Sequence, residues 1–282
     1  TRRRLFRVGL YAFALIVMPL LPDEPIGPYG AINLATVWKL VVLVMAIGAL
    51  GHIALRLIGS RWGLLLSGFF AGYVSSTAAT AGFGQRVRAQ PALRSSAVGA
   101  TLLANFASLS LLVPVMLAVA PALLRAVAPE LVAAGTVLLA GAALGFHRGE
   151  QADAPPPTAD TRMFRIGQAL GLAALIAGVL FLAQVAAQWL GPKAALGAAL
   201  LTALAELQAA AATVATLFGN GTIDAGQARW AVIGLFAASA LAKSVVAFAS
   251  GGAAFGIRIA VGLGAMTAAA LAVALRGAAF GA

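Results

Sequence analysis

The polar residues of this chain punctuate long apolar runs instead of mixing with them. Nine runs stand out: Leu5–Leu21, Leu34–Leu57, Trp62–Gly82, Ser95–Ala120, Leu131–Phe146, Ile166–Leu190, Ala194–Phe218, Ala228–Ala249 and Ile257–Leu275. Most approach or exceed the roughly 20 residues that a helix needs to cross the hydrocarbon core of a bilayer. The pattern predicts an all-α polytopic membrane protein of about nine hydrophobic helices. The connectors are short. "PDEPIGPYGAIN" is a Pro/Gly loop, acidic at its start, and "HRGEQADAPPPTADTR" is the longest polar stretch, a linker by composition. "TRRRLFR" ahead of "VGLYAFALIVMPLL" has the charge order of a signal peptide, but no small-x-small cleavage site follows. It is expected to be a retained first span.

The runs repeat. "AVGATLLANFASLSLLV" from Ala97 lies over "AVIGLFAASALAKSVVA" from Ala231 at an offset of 134, and "WGLLLSGFFAGYVSSTAAT" lies over "LGAALLTALAELQAAAAT" within three residues of that offset. The expected organisation is a single membrane domain, 1–282, built from two repeated four-helix halves after one extra N-terminal helix. Its parts are a first helix and acidic loop (1–33), a first repeat (34–146), a linker (147–163) and a second repeat (164–282). Duplicated halves are the usual build of transporters, with the substrate site between them near the midplane.

Charge and length disagree on topology. If all nine runs span, with the N-terminus inside, Lys and Arg divide nine inside and nine outside, with Lys243 left out as intramembrane. If runs 62–84 and 194–218 dip in and return on the same side, the division is thirteen to five. The second satisfies the excess of Lys/Arg in cytoplasmic loops. It needs non-helical backbone at membrane depth, which is tolerated where it lines a cavity. Length favours nine spans, and nine spans is the expectation.

Composition agrees with a lipid environment. The 282 residues are 62% hydrophobic and 10% charged, where a soluble domain is about one-quarter charged. The net charge of +11 comes mostly from arginines at the ends of apolar runs, so they read as cytoplasmic-side anchors and not as a nucleic-acid surface. The chain has no Cys, which excludes disulfides and thiolate metal sites. Small-xxx-small pairs, Gly68 with Gly72 and Gly167 with Gly171, support close helix packing and nothing sharper, and a homodimer stays open.

Four polar clusters interrupt the apolar runs. Ser75, Ser76, Thr77 and Thr80 form "SSTAAT"; hydroxyls there either bond back to their own helix or coordinate an ion. Glu206, with Gln208, occupies the equivalent place in the second half, and Thr202, Glu206 and Thr213 share a helical face. A charged side chain at a helix centre costs about 2.5–3.5 kcal/mol, so Glu206 is expected to face a watery interior as cation ligand or proton carrier, or to pair with another helix. Lys243 sits mid-run in "ALAKSVVAF" and is the natural neighbour for Glu206. Asn105, flanked by Thr101 and Ser108, has Ser239 as its repeat mate. The clusters of the two halves correspond, which places all of them round one pseudo-symmetric centre. His52 and His147 are unclustered, and "GFG" at Gly82–Gly84 lacks the GK[ST] of a phosphate loop. No nucleophile–base–acid set is present, so no enzyme and no cofactor is expected.

At "LPDEPIGPYG", "GLLLSGFFAGYVSSTAAT" and "AELQAAAAT" the chain resembles the C-terminal membrane domain of unknown function found in MgtC/SapB family proteins. The resemblance implies a bacterial inner-membrane protein associated with magnesium. Relatives often carry Asp-x-Asp where this chain has Glu206 and Gln208, so one carboxylate of a two-carboxylate metal site is missing. Two functions are expected to compete. One is a transporter or channel for a small inorganic ion, lined by the four clusters, with Glu206 as the candidate metal ligand. The other is a non-transporting membrane module whose polar groups hold helices, or partner proteins, together. The sign of the ion stays open: Lys243 repels cations unless it neutralises Glu206, and Lys243 with the hydroxyls suits an anion.

Overall fold

The computed structural model describes residues 63–147 and 191–280, with isolated helical positions within 35–42 and 178–189. Expectations for the first helix, the "LPDEPIGPYG" loop, His52, the linker after His147 and the Gly167–Gly171 pair lie outside the described residues. The elements are α1 (Gly63–Ala89), a 3-10 turn (Pro91–Leu93), α2 (Arg94–Ser110), α3 (Leu112–Val119), α4 (Pro121–His147), α5 (Pro192–Ala205), α6 (Leu207–Gly219), α7 (Ala225–Gly251) and α8 (Ala253–Phe280). No strand occurs among the described residues.

Four stretches among the described residues have the length and apolarity to cross a membrane: Pro91–Val119, Pro121–His147, Ala225–Gly251 and Ala253–Gly277. Their outer faces carry bare apolar side chains such as Leu117, Val132, Leu241 and Val261, which is stable when the solvent is lipid. The first crossing bends at Leu111 because Pro114 follows. Proline has no N–H for the Ser110 carbonyl and its ring crowds that carbonyl. α4 begins ten residues before the expected Leu131. Pro129 and Glu130 look like a stop in the sequence, yet the helix runs through both. The proline costs one hydrogen bond, and Glu130 meets Arg229 of α7 in a buried ion pair. α7 starts on a reciprocal capping box between Asp224 and Gln227. It ends at Gly252, whose φ of 78° is open to glycine and lets α8 fold straight back.

α1 departs from the single straight helix expected over Trp62–Gly82. Gly68 lies on Ala100 and Gly72 on Ala104, and the Tyr73 hydroxyl is 2.9 Å from Ser110 Oγ. The first limb therefore runs beside α2 in the same direction. The chain must nevertheless reach Arg94, the start of α2, only five residues after Ala89. A straight helix from Gly72 would travel about 25 Å the wrong way, at 1.5 Å per residue. It reverses at Ser75, whose φ/ψ of −170°/109° interrupt the helix. On its way back Gly84 rests against Ser250 and Gly251 of α7, and Arg88 donates to the Ala249 carbonyl at 2.9 Å. α1 is a helical hairpin.

α5 and α6 repeat the device from the other end. Leu200 lies against Gly234, and Leu207 shares a cavity wall with Ser239 and Lys243, so α5 runs alongside α7. Glu206, at φ/ψ −148°/109°, breaks the path, and α6 returns to the start of α7, with Gly219 facing the Val119 carbonyl. The ends are identified by two links. Arg258, just after the α7–α8 turn, donates to Ser95 Oγ at 3.2 Å, at the start of α2. Arg229, early in α7, pairs with Glu130, in the first half of α4. So α2–α3 and α7 are antiparallel, and the hairpins enter from opposite ends. α4 and α8 pack together behind them, α8 also touching α2 and α4 touching α7.

Candidate functional site

Both hairpin tips are capped by the residue that breaks them. Ser75 Oγ accepts from the Ala78 N–H at 3.2 Å, and a Glu206 carboxylate oxygen accepts from the Gln208 N–H at 3.4 Å. Each side chain satisfies an amide orphaned at the start of the returning limb. Each break also starts a new helix part-way along the neighbouring long helices, with the positive end of its dipole at the tip.

Beside the second tip is a cavity of about 10 Å³, room for about one water molecule. Asn105, Ser239 and Lys243 give it a polar side, and Leu207, Phe236 and Met266 are among its apolar walls. Lys243 is 7% exposed. It and Glu206 are close enough to feel each other's charge, as the sequence suggested. The direct ion pair among the described residues lies elsewhere, between Arg229 and Glu130. Gln208 crosses from α6 to α2, donating to Ser108 Oγ at 3.0 Å, and so pins the second tip to the first half.

The expected site residues therefore divide. Asn105, Ser239 and Lys243 converge on the cavity, while Glu206 and Gln208 flank its wall residue Leu207 in the chain and Gln208 bonds to Ser108. Thr80, Thr101 and Thr213 are buried but bond to carbonyls of their own helices, Ser76, Ala97 and Ala209, at 2.7, 2.8 and 3.0 Å. Asn105 Nδ2 is held by the Thr101 carbonyl at 2.9 Å, so Thr101 positions the amide without facing the cavity. Ser75, Ser76 and Thr77 form the first tip, Ser76 buried and Ser75 exposed. No group of three or more His, Cys, Asp or Glu side chains gathers in metal-binding range among the described residues.

Sequence reasoning missed the Glu130–Arg229 pair. Its signal was present: a carboxylate following a proline inside a stretch otherwise fit to be one long helix. It also missed the lining contributed by Leu263 and Met266 of α8, which ordinary apolar periodicity cannot mark.

A family model described as "Domain of unknown function (DUF4010)" matches residues 42–251. That is most of the chain, and the chain belongs to this family. No curated protein and no solved structure matches it.

Proposed function

We propose that this DUF4010 protein is a multi-pass protein of the bacterial inner membrane that transports a small ion, its site lying where the two hairpin tips approach the centre. The observation that carries this is the chain break at Glu206, next to Leu207 on the wall of a cavity with a buried lysine, with a like break at Ser75 in α1. Broken backbone at membrane depth is tolerated where it lines a cavity, and opposed half-helices at the midplane are how many transporters hold ions.

An inverted repeat supports the same reading. An offset of 131 relates Ser75 to Glu206, and 134 relates Asn105 to Ser239 and Leu109 to Lys243. These mates sit on hairpins and helices that run in opposite directions. A re-entrant arrangement of both runs is also the one for which the sequence count of Lys/Arg is thirteen against five, the asymmetry that marks a cytoplasmic side.

A rival reading has an observation of its own. Thr80, Thr101 and Thr213 are spent within their helices, and Glu130–Arg229 fixes helix registry, as a non-transporting interaction module would need. Such a module has no use for broken helices at mid-depth. The two separate on one experiment: flux of Mg²⁺, monovalent cations and anions in proteoliposomes, wild type against a Glu206→Leu/Lys243→Met variant. Transport predicts a folded variant without flux. The module predicts no flux from either protein and undiminished self-association of both.

A further inference from the structure

We infer that the cavity at Lys243 is a binding site for a small monovalent anion of the halide class, an inference that rests on the transporter reading and names its substrate. Lys243 is buried, lines the cavity, and makes no direct ion pair or hydrogen bond among the described residues. An ammonium in so apolar a setting is costly unless a counter-charge comes to it. Glu206 is near but does not supply that contact: its carboxylate caps the first turn of α6.

The remaining polar groups on the wall suit an anion. Ser239 is buried and offers a hydroxyl, and Asn105 holds its amide against the same space. Both can donate, and neither carries negative charge. The start of α6, at Leu207, adds the positive end of a helix dipole at the cavity edge. A cation entering here would meet Lys243 first, with one carboxylate nearby and no cluster of acidic groups among the described residues. The cavity, about 10 Å³, has room for about one water molecule, so a halide enters with a slight widening, whereas larger oxyanions and organic acids need far more.

The assignment gives Glu206 a particular role. It competes with the anion for Lys243, so removing its charge tightens anion binding. A cation site predicts the reverse, because there Glu206 is the ligand. The test measures chloride and bromide binding to detergent-solubilised protein by titration calorimetry, with gluconate as the replacement anion, alongside flux in proteoliposomes. Wild type is expected to bind halide saturably and release chloride from loaded vesicles. Lys243→Met is expected to lose at least about tenfold in affinity, Ser239→Ala about threefold, and Glu206→Gln to bind as tightly as wild type or tighter. Ser239→Ala keeps the test decisive if Lys243→Met does not fold. Saturable Mg²⁺ or Na⁺ flux that disappears in Glu206→Gln, with no halide response, would overturn the anion assignment and leave the transporter standing. Halide binding without flux of any ion would keep the site and remove the transporter. Neither binding nor flux from folded protein would remove both.

Discussion

The Glu130–Arg229 pair offers the sharpest energetic test, because its two partners have unequal access to water. Glu130 is fully buried and Arg229 is 25% exposed. One carboxylate oxygen, Glu130 Oε2, has no partner among the described residues, so the guanidinium is its main compensation. Arg229→Met keeps most of the apolar stem and removes the charge. Glu130 is then a buried, uncompensated carboxylate, and the loss should be about 3–5 kcal/mol. Glu130→Leu leaves an arginine that can still reach water, and the smaller cost of an unmade hydrogen bond, about 1–3 kcal/mol, applies. The double variant has no charge to compensate and should lie near wild type, or be more stable by up to about 4 kcal/mol. Unfolding in mixed micelles, followed by tryptophan emission, would measure all four corners of the cycle; Trp230, next to Arg229, is a built-in reporter. If the loss in the double variant equals the sum of the two single losses, the residues are not coupled and the ion pair does not hold α4 to α7.

Three further outcomes follow from the packing. Gly72→Leu should collapse the yield of monodisperse protein, because a side chain there meets the Ala104 backbone, whereas Gly82→Leu, which faces open space, should not; size-exclusion profiles report both. Since the chain has no Cys, single cysteines at Gly63 and Gln90, which flank α1, should be labelled by an impermeant maleimide from the same face of inverted and right-side-out vesicles, and Asn220→Cys from the other; opposite labelling of Gly63→Cys and Gln90→Cys would mean that α1 spans. Asp224→Ala removes the capping box of α7, with its Asp224–Gln227 bonds at 2.7 and 3.1 Å, and should cost about 1 kcal/mol in the same unfolding assay.

The crossing helices were legible because lipid demands long apolar runs, and α2–α3, α7 and α8 stand close to where hydropathy put them. The start of α4 was not, because a proline and a glutamate look like a stop unless the arginine that accommodates the glutamate is known, and Arg229 is 99 positions away. The hairpins lay between. Their run lengths looked like spans, and only the arginine count argued otherwise. A single extended residue separates a spanning helix from a re-entrant one, and neither Ser75 nor Glu206 is a Gly or Pro that would announce it. The site was legible in its residue types and not in its geometry. Ser76, Thr80, Thr101 and Thr213 look alike in the sequence to the hydroxyls that face the centre, and only backbone direction sorts them.

On the inverted-repeat reading, the distribution of charge is itself an argument. The first tip has Ser75 where the second has Glu206, and the first core helix has Leu109 where the second has Lys243. Glu206 and Lys243 thus belong to one half, and Lys243 lines the cavity that Leu207, next to Glu206, also walls. Scattered polar glue would have no reason to add a carboxylate and an amine together on the same side of a pseudo-two-fold axis. Either charge alone is expensive at that depth, about 2.5–3.5 kcal/mol on insertion scales. They are tolerable together only if each offsets the other in some state of the protein, yet no direct ion pair holds them here. A pair that is near without closing leaves Lys243 able to exchange Glu206 for a mobile ion, and that exchange is a use for the broken helix that places Glu206 at its tip.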